Sequence, residues 1–330
     1  MREATRIPVL AGVLVGLLAA LVAGLLGSSA RQRPARILPG FDPAGVQSIE
    51  VPGGARGIIA LRWRKSEGWR LDIGGRSYPA DRREIEGLLA AARTLDAIRL
   101  AASDPKLWER FGVDEAHGKH IRLRRQGATP LTLVVGNQNE TGLGCFVRVE
   151  GTPGVYEAAP NLSLYIDEEE PFWSALRLLP DGLKPGDIVE IGVEAHNLRA
   201  GDAAVDASYL LVQTVRDGAP AWIVQGRPED RLDSAQVLSL ASEIASLTAD
   251  QFAAEERPEL TGLDRPSATV EVATGAGARW VLRIGALVDG RLYAARADLP
   301  YVYLVNRWTV ARAVPSLATL MPADAPASAP

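Results

Sequence analysis

Hydrophobic and polar positions divide the chain into one long apolar run and two stretches of mixed periodicity. Residues 7–26 carry no charge and consist almost wholly of Leu, Val, Ala and Gly. At about 1.5 Å of rise per residue, a helix of this length spans a hydrocarbon core of about 30 Å. The run therefore predicts a transmembrane helix. Arg2 and Arg6 before it and Ser28-Ser29-Ala30 after it also fit a cleaved signal peptide, but the apolar run exceeds the usual signal core of about 7–15 residues, which favours an uncleaved anchor. Within it Gly12, Gly16, Ala20 and Gly24 recur every fourth residue. They form a stripe of small residues on which a second helix can approach closely, although Ala/Gly-rich helices also show such stripes by chance.

Beyond the anchor the periodicity alternates between 3.6 and 2. Ile85, Leu88, Leu89, Ala92 and Leu95 fall on one helical face, as do Val237, Leu240, Ala241, Ile244 and Leu247. Each helix opens alike, with Asp81 three residues before Glu84 and Asp233 three before Gln236. That spacing suits an N-cap acceptor and a side chain that reaches back to it. The spacing predicts helices over 81–96 and 233–247. Alternating stretches at 119–125, 131–136, 144–149 and 153–157 read as strands.

These two helices belong to a longer internal echo, in which region 38–166 is matched in order by region 180–313. Pro39-Gly40-Phe41-Asp42-Pro43, followed by Val46, Ile49 and Val51, is answered by Asp181-Gly182-Leu183-Lys184-Pro185, followed by Ile188, Ile191 and Val193. Trp69-Arg70-Leu71 corresponds to Trp222-Ile223-Val224, and Gly112-Val113-Asp114 to Gly262-Leu263-Asp264. Leu131-Thr132-Leu133-Val134-Val135-Gly136 corresponds to Trp280-Val281-Leu282-Arg283-Ile284-Gly285. Phe146, Pro153, Val155 and Tyr156 answer to Tyr293, Pro300, Val302 and Tyr303. The spacing between copies changes only between blocks, where loops absorb insertions.

The expected fold class is α+β: an N-terminal transmembrane helix followed by two tandem, related, largely antiparallel units. The expected organisation is a tail and anchor at 1–30, a first unit at 31–166, an acidic and Pro-containing linker at 167–180, a second unit at 181–320 and a disordered tail at 321–330.

Composition narrows the function more than it names it. The net charge of −4 offers no broad basic field for wrapping nucleic acid. A lone Cys145 forms no intramolecular disulfide and sits in the apolar run Cys145-Phe146-Val147, which reads as a packed thiol. His117-Gly118-Lys119-His120 has metal-like composition, but a glycine and a strand start separate the rings, so it reads as a turn with exposed histidines. His196 has no neighbouring ligand in sequence. Gly142-Leu143-Gly144, after Asn137-Gln138-Asn139, lacks the third glycine of a phosphate loop and reads as a hairpin.

Asp167-Glu168-Glu169-Glu170 lacks the alternation and central glycine of a calcium loop and reads as solvated linker. No Gly-x-Ser-x-Gly elbow occurs. No catalytic, cofactor-binding or metal-binding set is expected. Trp63, Trp69, Trp173, Trp222, Trp280 and Trp308 could build a glycan-stacking face, but Trp69 and Trp222 hold matched positions, which favours a core role for them.

Taken together, the anchor, Gly40-Phe41-Asp42-Pro43, Ser48-Ile49-Glu50-Val51, Trp69-Arg70-Leu71, Ala80-Asp81 ahead of Leu88-Leu89, Phe111-Gly112-Val113-Asp114, Leu133-Val134-Val135-Gly136 and Val155-Tyr156 carry a resemblance. The chain resembles a family of uncharacterised bacterial membrane-anchored proteins with a repeated domain of unknown function, encoded beside gliding-motility-type ABC transporter components. Gly262-Leu263-Asp264-Arg265-Pro266 has the family's form, whereas the first copy has Glu115-Ala116 where Pro is usual. The resemblance implies repeats outside the cytoplasm on a cytoplasmic-membrane anchor, an orientation that the nearly balanced flanking arginines leave open. It also implies an accessory role beside an ABC-type permease or other envelope proteins. Two function classes stand: a non-enzymatic scaffold, and an envelope hydrolase or glycan-binding module.

Overall fold

The computed structural model describes residues 35–54, 57–216 and 218–322. The run 7–26 with its stripe Gly12, Gly16, Ala20 and Gly24, and most of the tail at 321–330, lie outside them. Among the described residues no helix is long and apolar enough to cross a membrane.

The elements run β1 (Ala35–Arg36), β2 (Val46–Pro52), β3 (Ile58–Arg64), β4 (Gly68–Ile73), β5 (Arg76–Pro79), α1 (Arg82–Arg93), β6 (Asp96–Ala102), β7 (Lys119–Arg125), β8 (Leu131–Gln138), β9 (Cys145–Val149) and β10 (Val155–Ala159). They continue with α2 (Glu170–Trp173), β11 (Ile188–Leu198), β12 (Val205–Arg216), β13 (Ala219–Val224), α3 (Ser234–Ala245), β14 (Gln251–Phe252), α4 (Pro258–Thr261), β15 (Ala268–Thr274), β16 (Arg279–Val288), β17 (Arg291–Arg296), β18 (Val302–Asn306) and α5 (Arg307–Ala313). The fold is broadly α+β, with mostly antiparallel sheets and few helices.

Contacts gather these elements into two compact units. One comprises the described residues up to Arg64 together with Arg83–Glu168; the other comprises Lys65–Arg82 together with the described residues from Glu169 onward. In the first unit the strands lie in the order β1-β6-β10-β9-β8-β7-β2-β3. In the second, the sheet runs β13-β12-β11-β15-β16-β17-β18-β14, and the antiparallel β4–β5 hairpin is part of that unit. From β6 to β3 the first order matches, strand for strand, the order from β14 to β12.

The matched sequence blocks take matched local forms. A one-turn 3-10 helix over Pro43–Gly45 leads into β2, and another over Pro185–Asp187 leads into β11. Before them, Phe41 donates its backbone N–H to the Leu38 carbonyl and Leu183 donates to Pro180. Gly112 and Gly262 each end a short helical turn in the left-handed region, at φ 66 and 71, where a β-carbon is costly. Each unit then builds a small second core from matched positions: Val113 with Ala102, Val134 and Val155 against Phe146, and Leu263 with Ala253 and Val302 against Tyr293.

Both helices bury the apolar stripe that their sequence marks. Ile85, Leu88, Leu89 and Ala92 are buried on α1, and Val237, Leu240, Ala241 and Ile244 on α3. At roughly 1.5–3 kcal/mol per large apolar side chain removed from water, these stripes outweigh any intrinsic propensity. Asp233 caps α3, accepting from the backbone N–H groups of Ala235 and Gln236. α1 stops at Arg93, short of the expected 96, because Asp96 already begins β6; Leu95 stays buried as part of the connection.

The main core of the second unit joins α3 to the inward positions of β11, β12, β15 and β16, including Ile191, Val193, Leu211, Val270 and Leu282. Downstream of the acidic run, Trp173, Leu178 and Leu179 are fully or almost fully buried.

Candidate functional site

The densest polar grouping in the second unit lies where β4 and β5 meet the chain between β14 and α4. The hairpin is set by the Gly74-Gly75 turn, and its alternation turns Leu71 and Tyr78 inward as a cross-strand pair. Tyr78 stacks on Phe252 with ring centroids 4.4 Å apart, and Phe252 lies 5.1 Å from Tyr303 and 5.9 Å from Tyr301. These rings form an apolar floor.

Charged groups stand around it. Arg70 is 7% exposed; it donates through Nη2 to the Tyr301 hydroxyl at 2.8 Å and to the Ser77 carbonyl, and its Nε faces the Glu67 carboxylate at 3.4 Å. Arg76 Nη1 donates to the Ala254 carbonyl at 2.9 Å and pairs with Glu256 at 3.2 Å. The Tyr78 hydroxyl donates to Glu256 Oε1 at 3.1 Å. Arg257 grips Glu255 with Nε and Nη2 at 2.9 and 2.6 Å, and the backbone N–H groups of Glu256 and Arg257 also donate to Glu255. An open cleft of about 450 Å³ is lined by Arg76, Ala254, Glu255, Glu256, Arg257 and Pro258.

Glu255, Tyr78 and Tyr303 of the site have shifted proton affinities. The two-pronged Arg257 grip and the backbone donors hold the Glu255 carboxyl down at about 2, so it stays ionised near neutrality. Burial pushes the Tyr78 phenol up, and burial pushes Tyr303 up to about 12, so both remain protonated. The cleft therefore presents fixed charges already paired with each other. That arrangement can orient a polar ligand.

The residues that the sequence singles out lie elsewhere and apart. Cys145 is buried on β9, and burial raises its thiol above the ordinary range. His117 is exposed and pairs with Asp114 at 2.9 Å, His120 is half-buried on β7, and His196 is exposed on β11. Asp167 pairs with Lys119 at 3.3 Å. Asn137-Gln138-Asn139 and Gly142-Leu143-Gly144 shape the β8–β9 connection, where the Asn139 side chain accepts from the Gly144 N–H. Trp69 and Trp173 are buried, whereas Trp63 and Trp308 are exposed at 45% and 43%; Arg307 covers the Trp308 ring at 4.8 Å. Among the described residues no group of three or more His, Cys, Asp or Glu side chains is placed to hold a metal ion.

Sequence reasoning missed Arg70, Arg76, Tyr78, Phe252, Glu255, Glu256 and Tyr301. The one local signal is Glu255-Glu256-Arg257-Pro258, a charged run just ahead of a helical turn.

No curated protein and no solved structure matches the chain. The match to a family model starts at the β4 hairpin and ends within β12: a domain described as "Domain of unknown function (DUF4340)" is found at residues 69–207.

Proposed function

We propose that this chain is a non-enzymatic, membrane-anchored accessory or scaffold protein of the bacterial envelope, working beside an ABC-type permease or another envelope component. The observation that carries the reading is the internal pairing of every charged side chain lining the cleft, with Glu255 locked to Arg257 and Glu256 to Arg76 and Tyr78. A surface of that kind recognises shape and charge without a chemical step. The anchor at 7–26 supplies membrane attachment, with both units outside the cytoplasm, and the transporter link rests on the family resemblance.

In this reading the two units descend from one duplicated fold. The common strand order, the paired 3-10 turns and the matched secondary cores support that descent. The glycan-binding alternative needs Trp173 and Trp308 to share a face with carboxylates. Trp173 is 0% exposed, which weighs against it.

The test is recovery of partners from membranes. The full chain, cross-linked in cells and isolated, should carry a membrane protein with it. Gly16→Leu with Ala20→Leu should weaken that recovery at unchanged abundance, because bulky residues block close helix approach. Alanine at His117, His120, Cys145, His196 and residues 167–170 should leave the cellular phenotype nearly intact. Loss of function from one of these in a folded, membrane-bound chain would overturn the scaffold reading. Protease added to spheroplasts should digest both units, and a protected chain would overturn the topology.

A further inference from the structure

The β4–β5 hairpin sits, along the chain, between β3 and α1, yet it belongs to the second compact unit. Tyr78 is 4% exposed and belongs to the main core of that unit, and Ile73 packs against the same core. Main-chain hydrogen bonds at its downstream end are few: Ala175 N–H donates to the Pro79 carbonyl at 3.0 Å and Asp81 N–H to the Trp173 carbonyl at 2.7 Å, beside a bridge between Ala80 and Ser174. Side chains add the Tyr78–Phe252 stack, Arg70 on Tyr301, and Arg76 and Tyr78 on Glu256.

These are not features of the repeat. On the alignment that sets Trp69 against Trp222, residues Arg70, Arg76 and Tyr78 fall opposite Ile223, Glu229 and Arg231. The hairpin thus carries three contact-making residues that its counterpart lacks.

We propose that the β4–β5 hairpin is a strap: it completes the core of the second unit over β14 and β18, and hairpin and floor open together as one local cooperative unit. Its release uncovers Phe252, Tyr301 and Tyr303 with Glu256 at the rim, an aromatic groove with an acidic edge. The strap closes this groove in the folded chain.

Hydrogen exchange by mass spectrometry on the full-length chain in detergent tests this. Tyr78→Ala should speed exchange roughly tenfold or more in residues 68–79, 251–253 and 301–305 together, while β11, β12 and β15 keep wild-type protection, since a cooperative unit opens as a whole. Faster exchange confined to 68–79 would overturn the proposal, because the hairpin would then be only an appendage. Equal acceleration throughout the second unit would also overturn it, as general destabilisation. Should Tyr78→Ala not fold, Tyr78→Phe and Glu256→Gln remove only the rim contacts; they should speed exchange by a smaller factor in the same three segments and nowhere else, and any other pattern overturns the strap.

Discussion

A β-carbon placed on Gly136 would lie 2.1 Å from the carbonyl oxygen of Phe111, far inside contact distance. The second unit repeats this closeness, with Gly285 against the carbonyl oxygen of Thr261 at the same 2.1 Å. In both places a strand passes directly over the turn that ends at Gly112 or Gly262. Gly136→Ala and Gly285→Ala should each destabilise by about 1–3 kcal/mol, the usual cost of forcing an extra methyl into a packed site. Nothing lies within 4 Å of the corresponding position on Gly45 or Gly186, so alanine there should change stability by less than about 0.5 kcal/mol. Urea denaturation of the four variants checks the contrast.

Asp233→Ala removes the acceptor for the backbone N–H groups of Ala235 at 2.8 Å and Gln236 at 3.3 Å. The helix start then has two orphan donors. A loss of about 1 kcal/mol is expected. Asp233→Asn should recover most of it, because the side-chain oxygen is retained, and thermal unfolding distinguishes the two.

The helix faces were legible because burial in a helix is written locally. Ile85, Leu88, Leu89 and Ala92 need only a 3.6-residue period to declare one face, and the strand over 119–125 needs only a period of 2. Periodicity says that Tyr78 is inward but not against what. Its partner Phe252 lies far along the chain, and no local pattern around either residue points to it. The same limit hides the polar cluster, since Arg76 and Glu256 each read as an exposed charge until the fold brings them to 3.2 Å.

Glu255 gives a pH signature. Its folded-state value of about 2 lies below the ordinary 4.5, so its contribution is complete above about pH 4.5 and is lost as pH falls towards 2. Carbon-detected NMR titration of the Glu255 carboxyl should show no inflection between pH 4 and 5. In Arg257→Gln the inflection should move up into that range. An unchanged low value in this variant would mean that the backbone donors, not the guanidinium, hold the charge.

Arg148 presents the opposite problem, a cation buried with little to hold it. It is 8% exposed, its Nη2 reaches the Val113 carbonyl only at 3.3 Å, and its Nε is buried with no hydrogen-bond partner. Burial accordingly lowers its proton affinity. The strongest contact it makes is with the Trp108 ring, whose centroid lies 3.9 Å from the guanidinium carbon. A matched apolar replacement avoids the desolvation cost, so Arg148→Met should be neutral or stabilising by up to about 1 kcal/mol. Trp108→Ala, in contrast, should cost about 3 kcal/mol, because it removes a packed ring and uncovers the charge at once. The two changes should not add. In the Arg148→Met background, where no cation lies under the ring, the Trp108 truncation should cost about 1–2 kcal/mol less, the size of a desolvated cation–π contact. A double-mutant cycle by urea unfolding measures that difference directly. A coupling near zero would show that Trp108 serves the Val113 and Val155 cluster alone and that Arg148 gains nothing from lying beneath it.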